Sequence, residues 1–233
     1  MSIRRSVVRG IKGLVVIIAA MLPWAIRRVL LCRLCGYNIE RSAYISRVSM
    51  VVPNYLEMGI NARICSLTVV KGLQSLIVGD HGFIGPLNWI YGFPIKSMSQ
   101  HFLLNENRKT RLVIGVHAAI TSRHIVDCTD EVIVGDYSIV GGYRTQILTH
   151  SIDLKESRQS CTPVRIGRYC FVGTNCVLLG GAKLPDYSVL AAHSMLANAY
   201  ENRYVIYGGV PARAIKELDK SYKYFSRSDG YIW

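Results

Sequence analysis

The chain has 233 residues, 28 lysines and arginines against 15 aspartates and glutamates, and a formal net charge of +13. That length accommodates one large domain and hardly two. With 50% hydrophobic and 18% charged residues, the composition excludes a disordered tail and requires a sizeable core. A strongly basic chain seeks anions: nucleic acid, anionic lipid or a phosphorylated small molecule. The basic residues are spread out apart from an N-terminal cluster, and no nucleic-acid-binding motif occurs, so a nucleic-acid partner is not expected.

In chain order, the first residues (MSIRRSVVRGIKG) are basic. An apolar run follows from Leu14 to Ile26, interrupted by Pro23 and stopped by Arg27 and Arg28. It falls short of the roughly 20 residues that span a bilayer, and it lacks the small-residue cleavage site of a signal peptide. Residues 1–35 therefore read as a helical segment in one of two ways: an interfacial helix held on anionic lipid by flanking arginines, or a helix packed against the main domain. Cys32 and Cys35 form a lone CxxC, which reads as core or chance rather than as a metal or redox pair. The seven cysteines suggest no disulfide framework and fit a reducing cytoplasm.

From Ile39 an aliphatic residue begins to return at six-residue steps: Ile39, Ile45, Val51, then Val78 and Ile84, then Ile114, Ile120 and Val126, then Val134 and Val140. The period is cleanest from Ile166, continuing through Val172, Leu178, Leu184, Leu190 and Leu196. Four places after each of the first five stands a small residue: Cys170, Cys176, Ala182, Ser188, Ser194. Neither an α-helix nor an alternating strand has a period of six. A coil with three flat sides does: each side is a short strand, the aliphatic residue fills a narrow triangular core, and the small residue fits near a corner. Coils stacked at about 4.8 Å pair their backbone groups with the coils on either side. Residues 96–110 and 151–164 are polar and aperiodic and read as loops leaving the coil, where function concentrates. The stretch after Pro211, ARAIKELDKSYKY, reads as a helix capping the end of the solenoid over 211–233.

Three pieces of the sequence together resemble the hexapeptide-repeat acyltransferases, near the branch that O-acetylates maltose, galactosides and polysaccharides. They are the repeat over 166–197, the segment ILTHSIDL (147–154) with its following loop and VRIGRYCFVG, and YGGVPARAIKEL (207–218). With the upstream coils the likeness covers about residues 36–218. It implies a left-handed parallel β-helix over 36–210, assembled as a homotrimer, that uses acetyl-CoA and no metal. The handedness comes from the resemblance and runs against the right-handed crossover rule.

Acyl transfer to a hydroxyl needs a base for the proton, a held thioester carbonyl and a donor to the oxyanion. No GxSxG elbow suggests an acyl-enzyme. His150 lies where the coil ends and the polar loop begins, and it matches the family's base. Asp127 and Asp130, about one coil earlier, and Asp153, on the same segment, are three candidates to orient its ring. His81, His101, His117 and His193 read as surface or loop residues. Asn88, His124 and Arg144 share an offset within their coils, although a one-residue bulge near Gly141–Gly142 would shift Arg144; Asn88 and Arg144 are candidate acceptor contacts, as is Asp153. In the family, pantetheine lies along the prism against small residues, a role that Gly173, Gly181, Ala182, Ala192 and Ser194 fit, with Arg213 and Lys216 placed to meet CoA phosphates.

The expected function is transfer of acetyl from acetyl-CoA to a sugar hydroxyl in surface polysaccharide or exopolysaccharide biosynthesis, in the cytoplasm or on the inner face of the cytoplasmic membrane. Alternatives are a small soluble acceptor such as a free sugar or antibiotic, a zinc enzyme like the γ-class carbonic anhydrases with His81 and His117 in one column, or a non-catalytic scaffold.

Overall fold

The computed structural model describes residues 12–95, 101, 102, 105 and 107–232. The basic residues before Lys12, and 96–100, 103, 104 and 106 of the first expected loop, lie outside the described residues. Short strands wind into three sheets of seven, nine and seven strands; all but the last strand of the second sheet are parallel and hydrogen-bond to their counterparts one coil away. The first sheet begins with Asn38–Ile39, the second with Tyr44–Ile45 and the third with Met50–Val52. Consecutive strands thus lie on successive faces of one triangular rod.

The six-residue period sets the core. In-register pairing stacks like on like: Val78, Ile114, Val134, Ile166 and Leu184 on the first face, Ile84, Ile120, Val140, Val172 and Leu190 on the second, and Val126, Ile147, Leu178 and Leu196 on the third. All are fully buried. Cys170, Cys176, Ala182, Ser188 and Ser194 are buried as well, as expected of small residues at corners where a larger side chain would overpack. Gly135 shows how close the coils run, since a Cβ there would lie 2.6 Å from the backbone of Gly167.

The corner between the first and second faces turns through a left-handed residue in every coil after the first. His81, His117, Tyr137, Tyr169, Tyr187 and Tyr204 all take φ near +55°, a conformation that costs a residue with a Cβ roughly 1–2 kcal/mol. Their rings stack on one another along the rod at 4.5, 5.2, 4.7, 5.4 and 4.8 Å between centroids. The coil spacing of about 4.8 Å is also a good stacking distance for rings, so the corner recovers its strain in aromatic contact.

The C-terminus corrects the expected capping helix. Ala212–Glu217 is a strand, antiparallel to Val205–Gly209 across the Val210–Pro211 turn. Its helix-forming composition yields to the open edge of the second sheet, whose unpaired backbone groups it satisfies. The only helical turn after it among the described residues is the short 3-10 turn Lys223–Phe225. The remaining chain runs back along the aromatic ladder: the Tyr169 hydroxyl donates to the Arg227 carbonyl at 3.0 Å, and the Gly230 N–H donates to His117 Nδ1 at 3.0 Å.

At the other end, helical residues 12–20 (α1) and Trp24–Cys35 (α2) sit on the first coil. Val16, Leu31 and Cys35 join the core cluster, and Arg27 donates to the Ile45 carbonyl at 3.1 Å. Gly36 at φ +69° ends α2, its N–H bonded back to Leu31. Cys32 and Cys35 are one helical turn apart, both free thiols, Cys35 buried against the coil.

Candidate functional site

Two excursions interrupt the coil, and both leave from the corner between the third and first faces. One departs after Trp89–Tyr91 and returns at Arg111–Ile114. The other departs after Gln146–Leu148 and returns at Val164–Ile166. The coil between them turns the same corner tightly, through Asp127, Cys128, Thr129 and Asp130. This sandwiched corner carries the site. The expected loop at 151–164 is a β-hairpin, His150–Asp153 against Arg158–Cys161, so His150 stands on its first strand at the base, beside the coil.

Asp127 is fully buried, yet it is richly partnered. Its Oδ1 accepts from the Thr129 N–H at 3.0 Å and the Thr129 hydroxyl at 2.6 Å. Its Oδ2 accepts from the Thr149 N–H at 3.0 Å, the His150 N–H at 3.1 Å and His150 Nδ1 at 2.6 Å. Burial pushes its carboxyl up, but the hydrogen bonds from His150, Thr129 and Thr149 together with the His150 charge outweigh it and hold the pKa below the usual value. Asp127 is therefore an anion and can only accept. It follows that His150 Nδ1 carries a proton and donates it, which leaves the lone pair of the neutral ring on Nε2. The hydrogen bond to Asp127 raises the pKa of His150, partly offset by burial. The ring remains 35% exposed. An anchored, oriented imidazole with a free basic nitrogen at the surface can take a proton from a bound hydroxyl.

The excursions wall this base. Phe102, from the first, meets the His150 ring edge to face at 5.9 Å. Arg108 holds that loop down: it donates to the carbonyls of Phe93 at 2.5 Å, Thr129 at 3.0 Å and Pro94 at 3.1 Å, and lies over the Phe102 ring. Cys161 pairs across the hairpin with His150, but burial, reinforced by the Asp130 charge, pushes its thiol up to about 11. It is a neutral thiol near pH 7 and a poor nucleophile, so the corner offers a base rather than a covalent acceptor. On the far side, Gly180 packs so tightly that a Cβ would lie 2.7 Å from Thr162 Oγ1 and 2.9 Å from the Thr149 carbonyl.

The structure thus selects Asp127 from the three candidate acids. Asp130 instead accepts from the N–H groups of Lys109 and Glu131 and ties the first loop to the corner. Asp153 closes the hairpin tip, accepting from the N–H groups of Lys155 and Glu156. Neither reaches the imidazole. Asn88 is not an acceptor contact: it is buried, donates to the carbonyls of Gly85 and Thr121, and accepts from the His124 N–H. His124 is its structural neighbour, its pKa lowered by burial to about 4, and its Nδ1 accepts from the Thr145 N–H. Thr145, not Arg144, completes that column, because the extra residue at the Gly142 turn (φ +69°) shifts the register. Arg144 is exposed at the corner between the second and third faces, one corner away from His150.

The residues expected to hold the donor fall on two corners. Gly181 and Ala182 follow Val177–Leu179 at the His150 corner. Gly181 is exposed at φ +86°, whereas the Ala182 side chain points into the core. Gly173, Ala192 and Ser194 lie at the next corner, and Ser194 Oγ accepts from the Gly209 N–H at 3.1 Å. Arg213 and Lys216 are exposed on the terminal strand beside them. A single subunit does not bring the two groups together. His81 and His117 do share a column, stacked at 4.5 Å, but His117 Nδ1 is occupied by the tail; among the described residues no group of three or more His, Cys, Asp or Glu is placed to hold a metal ion. His193 is exposed beside Asn175, and His101 lies edge-on to Phe93.

Sequence reasoning missed Thr129, Thr149, Phe102, Arg108 and Gly180. Only Thr149, adjacent to His150, carried a local signal; the others join the site through coil stacking or from an aperiodic loop.

No family model matches the chain, and no curated protein matches it. Among solved structures, a polysialic acid O-acetyltransferase superposes with a TM-score of 0.60 and 17% identity, over 78% of this chain and 84% of its own. A hexapeptide-repeat acetyltransferase from Vibrio cholerae aligns over 92% of both chains at 19% identity with a TM-score of 0.48. A maltose O-acetyltransferase from Clostridium difficile aligns over 59% of this chain and 66% of its own, at 16% identity and a TM-score of 0.47. The first of these likenesses settles the class of architecture: this chain is a left-handed parallel β-helix of the hexapeptide-repeat kind.

Proposed function

We propose that the protein is an acyl-CoA-dependent O-acetyltransferase that modifies a sugar hydroxyl of a polysaccharide, with His150 as general base. The observation that carries this reading is the Asp127–His150 pair at the corner where both excursions leave the rod. In the proposed step the acceptor hydroxyl gives its proton to His150 Nε2 as its oxygen attacks the thioester carbonyl. Asp127 stabilises the imidazolium so formed. The tetrahedral intermediate collapses, the C–S bond breaks, and the imidazolium returns the proton to the departing thiolate, giving ester and CoA thiol. The raised pKa of Cys161 favours this direct transfer over an acyl-cysteine intermediate. The polysaccharide acceptor draws support from the structural neighbour that acts on polysialic acid. A homotrimer fits the reading, because only a neighbouring subunit could set the exposed Ala192 and Arg213 opposite the His150 corner of another, whereas Gly173 and Ser194 are buried.

The test is incubation with acetyl-CoA and a panel of glycans, reading free thiol and a mass gain of one acetyl group. Turnover is expected with at least one glycan, and His150→Ala is expected to reduce it by about 10²–10⁴-fold while the variant still melts cooperatively as a folded protein. No thiol release with any hydroxylic acceptor, or full activity in the alanine variant, would overturn the proposal.

A further inference from the structure

The two N-terminal helices present opposite faces to opposite environments. Val16 and Ala19 of α1, and Arg27, Leu31 and Cys35 of α2, are buried against the first coil. Outward, α1 shows Leu14, Ile17 and Ile18, which are 58%, 64% and 58% exposed, and Met21 in the turn after it is 84% exposed. The i, i+3 and i+4 spacing of the first three places them on one stripe. In α2, Ile26 and Val29 are exposed in line with the exposed Arg33, and Leu34 is exposed beside them. A water-facing helix of a globular domain carries polar residues there, and a run of large apolar side chains this dense marks an interaction surface.

Charge identifies the occupant. No acidic residue precedes Glu40, whereas Arg4, Arg5, Arg9, Lys12, Arg27, Arg28 and Arg33 do. Arg41 and Arg47, both exposed, add to this on the first coil. Trp24 packs edge-on to Tyr44 at 5.3 Å at the same end of the rod, an aromatic pair of the kind found at the headgroup level. Among the described residues no helix is long and apolar enough to cross a bilayer, and Pro23 separates the two short helices. Apolar side chains facing out, helices that carry arginines and no acidic residue, and insufficient length to span together describe a surface that lies in an interface.

We infer that α1 and α2 form an interfacial anchor that seats the N-terminal end of the rod on an anionic phospholipid bilayer. Leu14, Ile17, Ile18, Met21, Ile26 and Val29 enter the acyl boundary, while Arg33 remains among the phosphates. The Asp127–His150 corner lies four coils along the rod, about 19 Å from the anchored end at roughly 4.8 Å per coil. The docking reading stands independently of the reaction assigned to that corner.

Co-sedimentation of the full chain with vesicles tests it. The protein is expected to partition onto phosphatidylcholine vesicles doped with phosphatidylglycerol and far less onto phosphatidylcholine alone, with binding weakened by salt. The double variant Ile17→Ser/Ile18→Ser is expected to bind roughly tenfold more weakly or worse, and Arg33→Glu to weaken binding to the doped vesicles. Both change exposed positions, and both should keep the wild-type melting temperature. Absence of partitioning, or equal salt-independent binding to neutral vesicles, would overturn the inference. So would a change in solution mass on Ile17→Ser/Ile18→Ser, which would assign the stripe to contacts between protein copies.

Discussion

Replacing Asp127 with asparagine removes one charge from a fully buried, multiply bonded position, and the consequences can be worked from its partners. The carboxylate serves the N–H groups of Thr129, Thr149 and His150, the Thr129 hydroxyl and His150 Nδ1. A carboxamide has one acceptor oxygen, and either orientation points its NH2 at two or more of these donors. Each buried donor left unmatched costs about 1–3 kcal/mol, so two cost about 2–6 kcal/mol, a large share of the roughly 5–15 kcal/mol that holds a domain together. The ring changes as well. Without the anion, the hydrogen bond and charge that raise the His150 pKa are gone while the burial that lowers it remains. An amide donor facing Nδ1 also favours the tautomer with its proton on Nε2, which cannot act as base. A raised His150 pKa stabilises the fold below its ordinary value of 6.5, and this stabilisation is lost as pH rises through the folded-state value. A lowered Asp127 pKa stabilises the fold above its ordinary value of 3.8, and that is lost as pH falls through the folded-state value. The wild-type pair therefore contributes most between the two, and the variant should lose the acid limb of this dependence. Nitrogen NMR of the imidazoles across pH, alongside thermal melts, reads both effects. The expected results are a proton on Nδ1 of neutral His150 in the wild type and a lower titration midpoint in the variant. An unchanged midpoint, or a wild-type ring protonated on Nε2, would refute the reasoning.

Other outcomes follow from the same geometry. Gly180→Ala puts a Cβ against Thr162 Oγ1 and the Thr149 carbonyl, displacing the segment that carries His150. Turnover should fall at least about tenfold, whereas Gly181→Ala, strained at φ +86° but uncrowded, should cost stability of about 1–2 kcal/mol and spare much of the activity. Parallel melts and thiol-release rates separate the two. Arg108→Met removes a guanidinium that bonds three carbonyls, and limited proteolysis should then cut within residues 93–110 well before the coil. Cys176→Leu overfills a buried corner and should destabilise by about 1–3 kcal/mol in chemical denaturation, while Cys176→Ala should stay close to the wild type.

The six-residue period alone determined the rod, because only a three-sided coil returns a side chain to the core at that spacing; Ile39, Val126 and Leu178 are buried where it requires. It also located both excursions, since a segment without the period cannot stay in the coil, and it placed His150 at the edge of one. Which acid holds His150 was not legible. Asp127, Asp130 and Asp153 are all near in sequence, and only the stacking of one coil on the next turns Asp127 inward to Nδ1 while leaving Asp130 on a loop and Asp153 at a hairpin tip. Asn88 and His124 look like site residues in a linear column, but the same stacking buries them as corner hydrogen bonds. The terminal strand Ala212–Glu217 likewise went against its local preference for helix, because an open sheet edge needs backbone partners and the residues themselves cannot record that it is there. Period is a property of neighbours along the chain, whereas burial, register and the pairing of charges belong to residues that meet only once the coils are stacked.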